Sequence, residues 1–455
     1  MFKIKTITLS LLALLLVMSF ASCASDTTSD SPMPNKDMKT YLQVRVTVDG
    51  SGDTRASRAA TEPKGGEEGD GRETGINHEN DVNSLTVLLY KSDKDDLSQD
   101  DATIDYVYTF TGLTASTPSS GSNVTYTTNP REIDPIIVGK DYRVLVIANA
   151  GDMTSSCKGK KISEIRDMQM DKVCTRNADI ANFSDFVMSS KKDAKIDFSG
   201  ASGCGTETDP YLVDVDIERL AARIDIIPNA EYDETNQGYY YDVKDGANII
   251  GGFKLESVIP SKVMTKGEYL IKRVSSDKTV PSVTYYGEEL MDATSKASTN
   301  YVVCPWTKVR TGLILSDAEG PASLYNVKKT TSISTTVGEA SYILDYVMEN
   351  TTTDNAEDYS TGLIFKGKYY ESSEWDATNH RPNSGVTGTE KEYTYTIRHS
   401  DPTGTGSKTA PMYYGIVRNN IYRIKIEGVV GEKKGMILTI AVKKWAKYTH
   451  AETSM

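Results

Sequence analysis

The chain has little of what most enzymes need. Four histidines stand singly in 455 residues (His78, His380, His399 and His450), which suits surface positions better than ligands or catalytic bases. No HExxH, P-loop or dinucleotide fingerprint occurs. GASGCG (Gly200 to Gly205) lacks the G-x-S-x-G spacing of a nucleophile elbow and sits among small, polar residues, so it reads as a loop. The acidic run DKDDLSQDD (Asp93 to Asp101) does not have EF-hand spacing and reads as a solvated charge run. From these residues we expect no enzyme activity, no catalytic or metal-binding residue and no cofactor.

Cysteine is scarce too. Five are present and none forms a CxxC pair, which disfavours a structural zinc site. Cys157, Cys174, Cys204 and Cys304 leave one or two disulfides and buried thiols equally open. Basic residues are in deficit, 51 against 63 acidic for a net charge of −12, which argues against a nucleic-acid partner. After the first 20 residues no apolar run is long enough to span a bilayer.

What is present is β-forming. Tyrosine (27) far outnumbers phenylalanine (8) and tryptophan (3), and its amphipathic ring suits half-exposed sheet faces. Short runs rich in β-branched and aromatic residues recur: VNSLTVLLY (82–90), YRVLVIAN (142–149), IERLAARIDII (217–227), GLIFKGKYY (362–370), EYTYTIRH (392–399) and IYRIKIEGVV (421–430). One stretch reads as helix, KISEIRDMQMDKV (161–173), with Ile162, Ile165 and Met168 at helical spacing. No fixed-period repeat occurs. The fold class expected is all-β, as sandwiches with a few short helices in the connections.

The first sixty residues carry three signals in series. MFKIKTITLSLLALLLVMSFASC has a basic start, an apolar run and small residues before Cys23, the grammar of an export signal ending on a lipid-modified cysteine. Next comes TYLQVRVTV (40–48), with Leu42, Val44, Val46 and Val48 on one face and Gln43, Arg45 and Thr47 on the other. DTRASR (53–58) then offers two arginine sites, Arg55–Ala56 and Arg58–Ala59, to a protease. Near the other end, MILTIAVKKW (436–445) repeats the four-plug pattern with Met436, Leu438, Ile440 and Val442. A cut in DTRASR would release the first strand and open an apolar groove beside unpaired backbone edges, a template for an incoming strand.

The order of these motifs resembles the Bacteroidales fimbrillin family: the lipoprotein leader, TYLQVRVTV followed by TRA, DVNSLTVLLY, YRVLVIANAG, FVMSS, IERLAARIDI and the ending RNNIYRIKIEGV…LTIAVKKW. The likeness is greatest to main structural subunits of short (minor) fimbriae. It implies two transthyretin-like β-sandwich domains, lipidation (palmitate) at Cys23, and removal of the first strand by an arginine-specific protease. It further implies polymerisation through a neighbour's C-terminal strand, carried here by Met436, Leu438, Ile440 and Val442. The organisation expected is a signal peptide over 1–22, a lipidated propeptide over 23–55, an N-terminal sandwich over 56–212 and a C-terminal sandwich over 213–455.

The corresponding partners are copies of the chain, accessory fimbrial subunits, the protease, an unidentified host or bacterial receptor and, through the precursor's lipid, the outer membrane. The mature protein is expected in a surface fimbrium. A tip adhesin, a monomeric lipid-anchored adhesin or glycan-binding lipoprotein, and last a β-sandwich enzyme, are the rival readings.

Overall fold

The computed structural model describes residues 39–48, 72–74, 77–91, 101–116, 124–134, 141–166, 168–176, 183–190, 193–198, 205–230, 232–233, 235–236, 238–264, 267–270, 332–334, 340–351, 361–398, 415–431 and 435–446. The described residues are mostly strand. The helices among them are short, Thr154–Cys157 and Ile162–Arg166, with 3-10 turns at Asn77–Asn80 and Ser372–Glu374.

The first sheet is built from β1 (Thr40–Val48), β2 (Ser84–Tyr90), β3 (Ile104–Thr111), β4 (Thr125–Thr127), β5 (Arg131–Ile133), β6 (Asp141–Ala148), β7 (Met188–Ser190), β8 (Ala194–Asp197) and β9 (Tyr211–Arg219). Its order is β3-β2-β6-β7-β9-β1-β4, extended by Thr114–Ala115, with β8 on β6 and β5 on β1. β2 is flanked by β3 and β6, and the run Leu85 to Tyr90 is buried throughout. A strand covered on both faces needs apolar residues without alternation, which explains the continuous SLTVLLY pattern.

The second sheet comprises β10 (Ala221–Ile227), β11 (Gly238–Asp245), β12 (Asn248–Ser261), β13 (Ala340–Met348), β14 (Gly362–Glu371), β15 (Thr389–Thr396), β16 (Asn420–Val430) and β17 (Gly435–Ala446). Its order is β13-β10-β16-β11-β12-β14-β15, beginning at Ser332–Ser334, and β17 covers the other flank of β16. The first apolar core fills the first sheet and reaches Tyr346, Met348 and Ile421 of the second, a second core lies within the second sheet, and a small third cluster joins Tyr240, Tyr370 and Trp375.

Three sequence readings change. The helix expected over 161–173 is only Ile162–Arg166; Ile162 and Ile165 are buried, but the chain then turns into a short strand, Gln169–Met170, that pairs with Gly267–Glu268. Pairing with a segment of the other half overrides local helical spacing there. IERLAARIDII is two strands: it breaks at Leu220, and its halves belong to different sheets. The passage between sheets falls at Leu220, beyond the start of the expected C-terminal sandwich at Val213, and Tyr211–Arg219 stays wholly with the first sheet.

Candidate assembly groove

β1 is an interior strand, held on both edges. On one side it runs parallel to β9 with Leu42 opposite Tyr211, Val44 opposite Val213, Val46 opposite Val215 and Val48 opposite Ile217. On the other it runs antiparallel to β5 near Tyr41 and to β4 near Val46. Thr128 bridges the gap between those short strands. Its hydroxyl accepts from the Val44 amide (3.0 Å), and its own amide donates to the Val44 carbonyl (2.9 Å). Thr128 thereby pairs both backbone groups of Val44 where β4 gives way to β5, as a buried strand requires.

Period-two alternation sorts the side chains. Leu42, Val44, Val46 and Val48 are each 0% exposed. At about 1.5–3 kcal/mol for each fully buried aliphatic side chain, these four are the main apolar hold on the strand. The other face is polar and half-exposed. Lys39, just before the strand, reaches Glu132 (2.9 Å), and Gln43 Nε2 donates to the Thr128 carbonyl (2.8 Å). Arg45 grips Asp214 through Nε and through Nη2 (2.7 Å), a two-pronged ion pair between register partners. Withdrawal of β1 would leave an apolar trough floored by the first core, with two unpaired backbone edges and an acidic rim.

Tyr126 belongs to this wall. It is the register partner of Val46, and burial, with help from the Asp81 charge, pushes its hydroxyl up to about 12. The wall residues Tyr126, Thr128, Glu132 and Asp214 were not singled out by sequence reasoning. For Asp214 the signal was available in YLVDVDIE, where Val213, Val215 and Ile217 alternate with Asp214 and Asp216; the short strands that carry Tyr126, Thr128 and Glu132 offer no such pattern. A boundary after residue 212 cuts through that strand.

At the other end, β17 lies antiparallel along the full length of β16, from Asn420 opposite Lys444 to Val430 opposite Gly435. Its far edge pairs with Arg72–Thr74, parallel to Lys444–Ala446. Leu438 is half-buried against the second core; the side chains of Met436, Ile440 and Val442 lie outside the described residues. So do Cys23, Arg55, Ala56, Arg58 and Ala59, and also Cys204, Cys304, His399 and His450. Structure thus brings together the four residues of β1 and leaves β17 at the far flank of the second sheet.

Cys157 is a buried thiol whose Sγ donates to the Met168 sulfur (4.0 Å), and burial pushes its pKa up to about 11. Cys174 is buried as well. His78 and His380 are exposed and sit against single carboxylates, Asp81 (2.7 Å) and Asp242 (2.9 Å). Among the described residues no group of three or more His, Cys, Asp or Glu is placed to hold a metal ion, and no helix is long and apolar enough to cross a membrane.

A family model described as "Major fimbrial subunit protein (FimA)" matches residues 40–196, from the first residue of β1 to β8. The resemblance to fimbrillins is thus shown over that segment, and the matched family is one of fimbrial subunit proteins. No curated protein matches the chain. Solved structures similar to it include the tip fimbrial protein Mfa3 of Porphyromonas gingivalis (12% identity, TM-score 0.40, covering 90% of this chain and 100% of that one). A putative cell adhesion protein of Parabacteroides distasonis is similar at 15% identity and TM-score 0.43, covering 90% and 99%. So is a fimbrilin (FimA) of Porphyromonas gingivalis W83, at 14% identity and TM-score 0.40, again covering 90% and 99%.

Proposed function

We propose that this chain is a structural subunit of a surface fimbrium that polymerises by strand exchange through the β1 groove. The observation that carries the reading is the placement of β1: an interior strand with four fully buried aliphatic side chains, followed after four residues by the arginine-bearing stretch DTRASR. In this reading the precursor is exported as a lipoprotein acylated at Cys23 and held at the outer membrane. An arginine-specific protease cuts at Arg55–Ala56 or Arg58–Ala59, and β1 leaves with the lipid. A neighbour's C-terminal strand then fills the trough with Met436, Leu438, Ile440 and Val442.

The energetics support a cut as the trigger. While β1 is covalently attached, an incoming strand competes with a segment at very high effective concentration. The donor also gives up its pairing with β16, so leaving one sheet for another is a near-balanced trade. Opening an unfilled trough tips the balance, because exposed apolar side chains and backbone edges both gain from the incoming strand. Receptor contacts, for host cells or other bacteria, belong on loops of the polymer surface.

One observation favours a second reading. β17 is fully docked in its own sheet and clasped by Arg72–Thr74, as a monomeric, lipid-anchored surface protein would keep it. Limited digestion of purified precursor with a trypsin-like protease separates the two. Strand exchange gives a ladder of non-covalent oligomers and a new N-terminus at Ala56 or Ala59. Monomers that persist after complete cleavage at that loop would establish the static lipoprotein.

A further inference from the structure

The rim of the trough carries charge as well as shape. Asp214 lies on β9 in register with Arg45, and Glu132 lies on the opposite wall against Lys39, so both carboxylates face cations of the resident segment. Asp214 is itself 61% exposed and owes its ion pair entirely to which residue stands at position 45. That position is special. It is the midpoint between the outer plugs Leu42 and Val48, as Thr439 is the midpoint between Met436 and Val442.

Matching four plugs to four plugs therefore sets Thr439 opposite Asp214, whichever direction the incoming strand runs. A slip by one plug either way brings Ile437 or Ala441 there, again uncharged. Lys443 reaches the position only if Lys444 takes the place of Val44 or Val46, both fully buried, where an unpaired ammonium is strongly disfavoured. In these registers the chain's own C-terminal strand brings Asp214 no cation, only the Thr439 hydroxyl or an apolar side chain.

We infer that Asp214 is a selectivity residue: the trough prefers an incoming strand with aliphatic residues at four alternate positions and an arginine or lysine at their midpoint. The inference rests on the strand-exchange reading. It ranks the resident β1 above the chain's own C-terminal strand, which guards the precursor against premature exchange. After the cut, a second copy's C-terminal strand still fills the trough with its four plugs and leaves Asp214 without a cation, so a strand of the preferred chemistry from another subunit binds the same trough modestly tighter.

The test uses arginine-loop-cleaved protein and four labelled synthetic strands followed by fluorescence anisotropy: residues 40–48, the same with Arg45→Thr, residues 436–444, and the same with Thr439→Arg. An exposed two-pronged ion pair corresponds to roughly a three- to fivefold change in affinity, so each arginine strand should bind tighter than its threonine counterpart by about that factor. Asp214→Asn, or salt near 1 M, should erase both differences, while Asp216→Asn on the same exposed edge should preserve them. Equal binding of all four strands, or differences that survive Asp214→Asn, overturns the selectivity and leaves exchange intact. Capture of none of the four overturns strand exchange itself, and the inference with it.

Discussion

Arg219, the last residue of the strand that lines the groove, donates from Nη1 to the side chain of Asn419, 3.0 Å away, across the passage from the first sheet to the second. Both are buried, and they belong to a larger junction. Arg219 Nε donates to the Glu79 carbonyl (2.8 Å). Arg223 holds both carboxylate oxygens of Asp225 (2.9 Å each) and reaches Glu79 (3.1 Å), which also accepts from the Tyr346 hydroxyl. Arg423 closes on Asp225 from β16 (3.0 Å).

Buried ions repay their desolvation only while every partner is present, so truncating one member costs far more than the pair contributes net. Glu79→Ala leaves Arg223 short of an acceptor and should destabilise the protein by about 3–5 kcal/mol in urea unfolding. A loss below 1 kcal/mol would show that the junction is not a unit.

The plugs of β1 make a state-specific prediction. Leu42→Ala removes a fully buried side chain and should destabilise the precursor by about 2–5 kcal/mol. If β1 is discarded on cleavage, the same substitution should leave cleaved, polymerised protein with unchanged melting behaviour. A penalty that persists in the polymer would place β1 in the mature fold.

Much of this was legible in the sequence because alternation is a local signal. Leu42, Val44, Val46 and Val48 advertise one buried face without reference to anything else. Their two-sided enclosure was not legible, since a strand's neighbours depend on topology: Val213 lies far along the chain from Val44. The break at Leu220 was hidden for a related reason. IERLAARIDII is apolar enough for either sheet, and its corner is set by the Arg219 and Arg223 network, whose partners Glu79, Asn419 and Arg423 are remote in sequence. The helical reading of 161–173 failed because spacing cannot anticipate the pairing of Gln169–Met170 with Gly267–Glu268.

Tyr126 reports on the occupancy of the groove through pH. Its folded pKa is raised, to about 12, above the value near 10 of an exposed tyrosine. The fold therefore binds more protons than the unfolded chain between those values. Its stabilising effect is complete below about pH 10 and is lost as pH rises towards 12. Withdrawal of β1 removes the strand paired with Tyr126, so Tyr126 should ionise nearer its ordinary value in cleaved, strand-free protein. Difference absorbance of the phenolate, with Tyr126→Phe as reference, measures this. Identical titration before and after strand removal would mean that β1 does not shield the ring.

The last prediction separates stability from assembly. Trp375 sits in the segment 372–388, and its indole is buried against Tyr240 and Tyr370 and donates to Asp242 (3.0 Å). It lies flat on the β12 backbone: a Cβ at Gly252 would stand 2.0 Å from the ring carbon Cε3. Gly252→Ala should therefore displace Trp375, at a cost of about 1–3 kcal/mol, and shift tryptophan emission to the red. This cluster is on the second sheet and shares no residue with the β1 groove. The variant should still capture the synthetic strand 40–48 after cleavage with unaltered affinity. Loss of capture would instead mean that the two sheets communicate through the Arg219 junction, making the 372–388 segment a remote determinant of assembly.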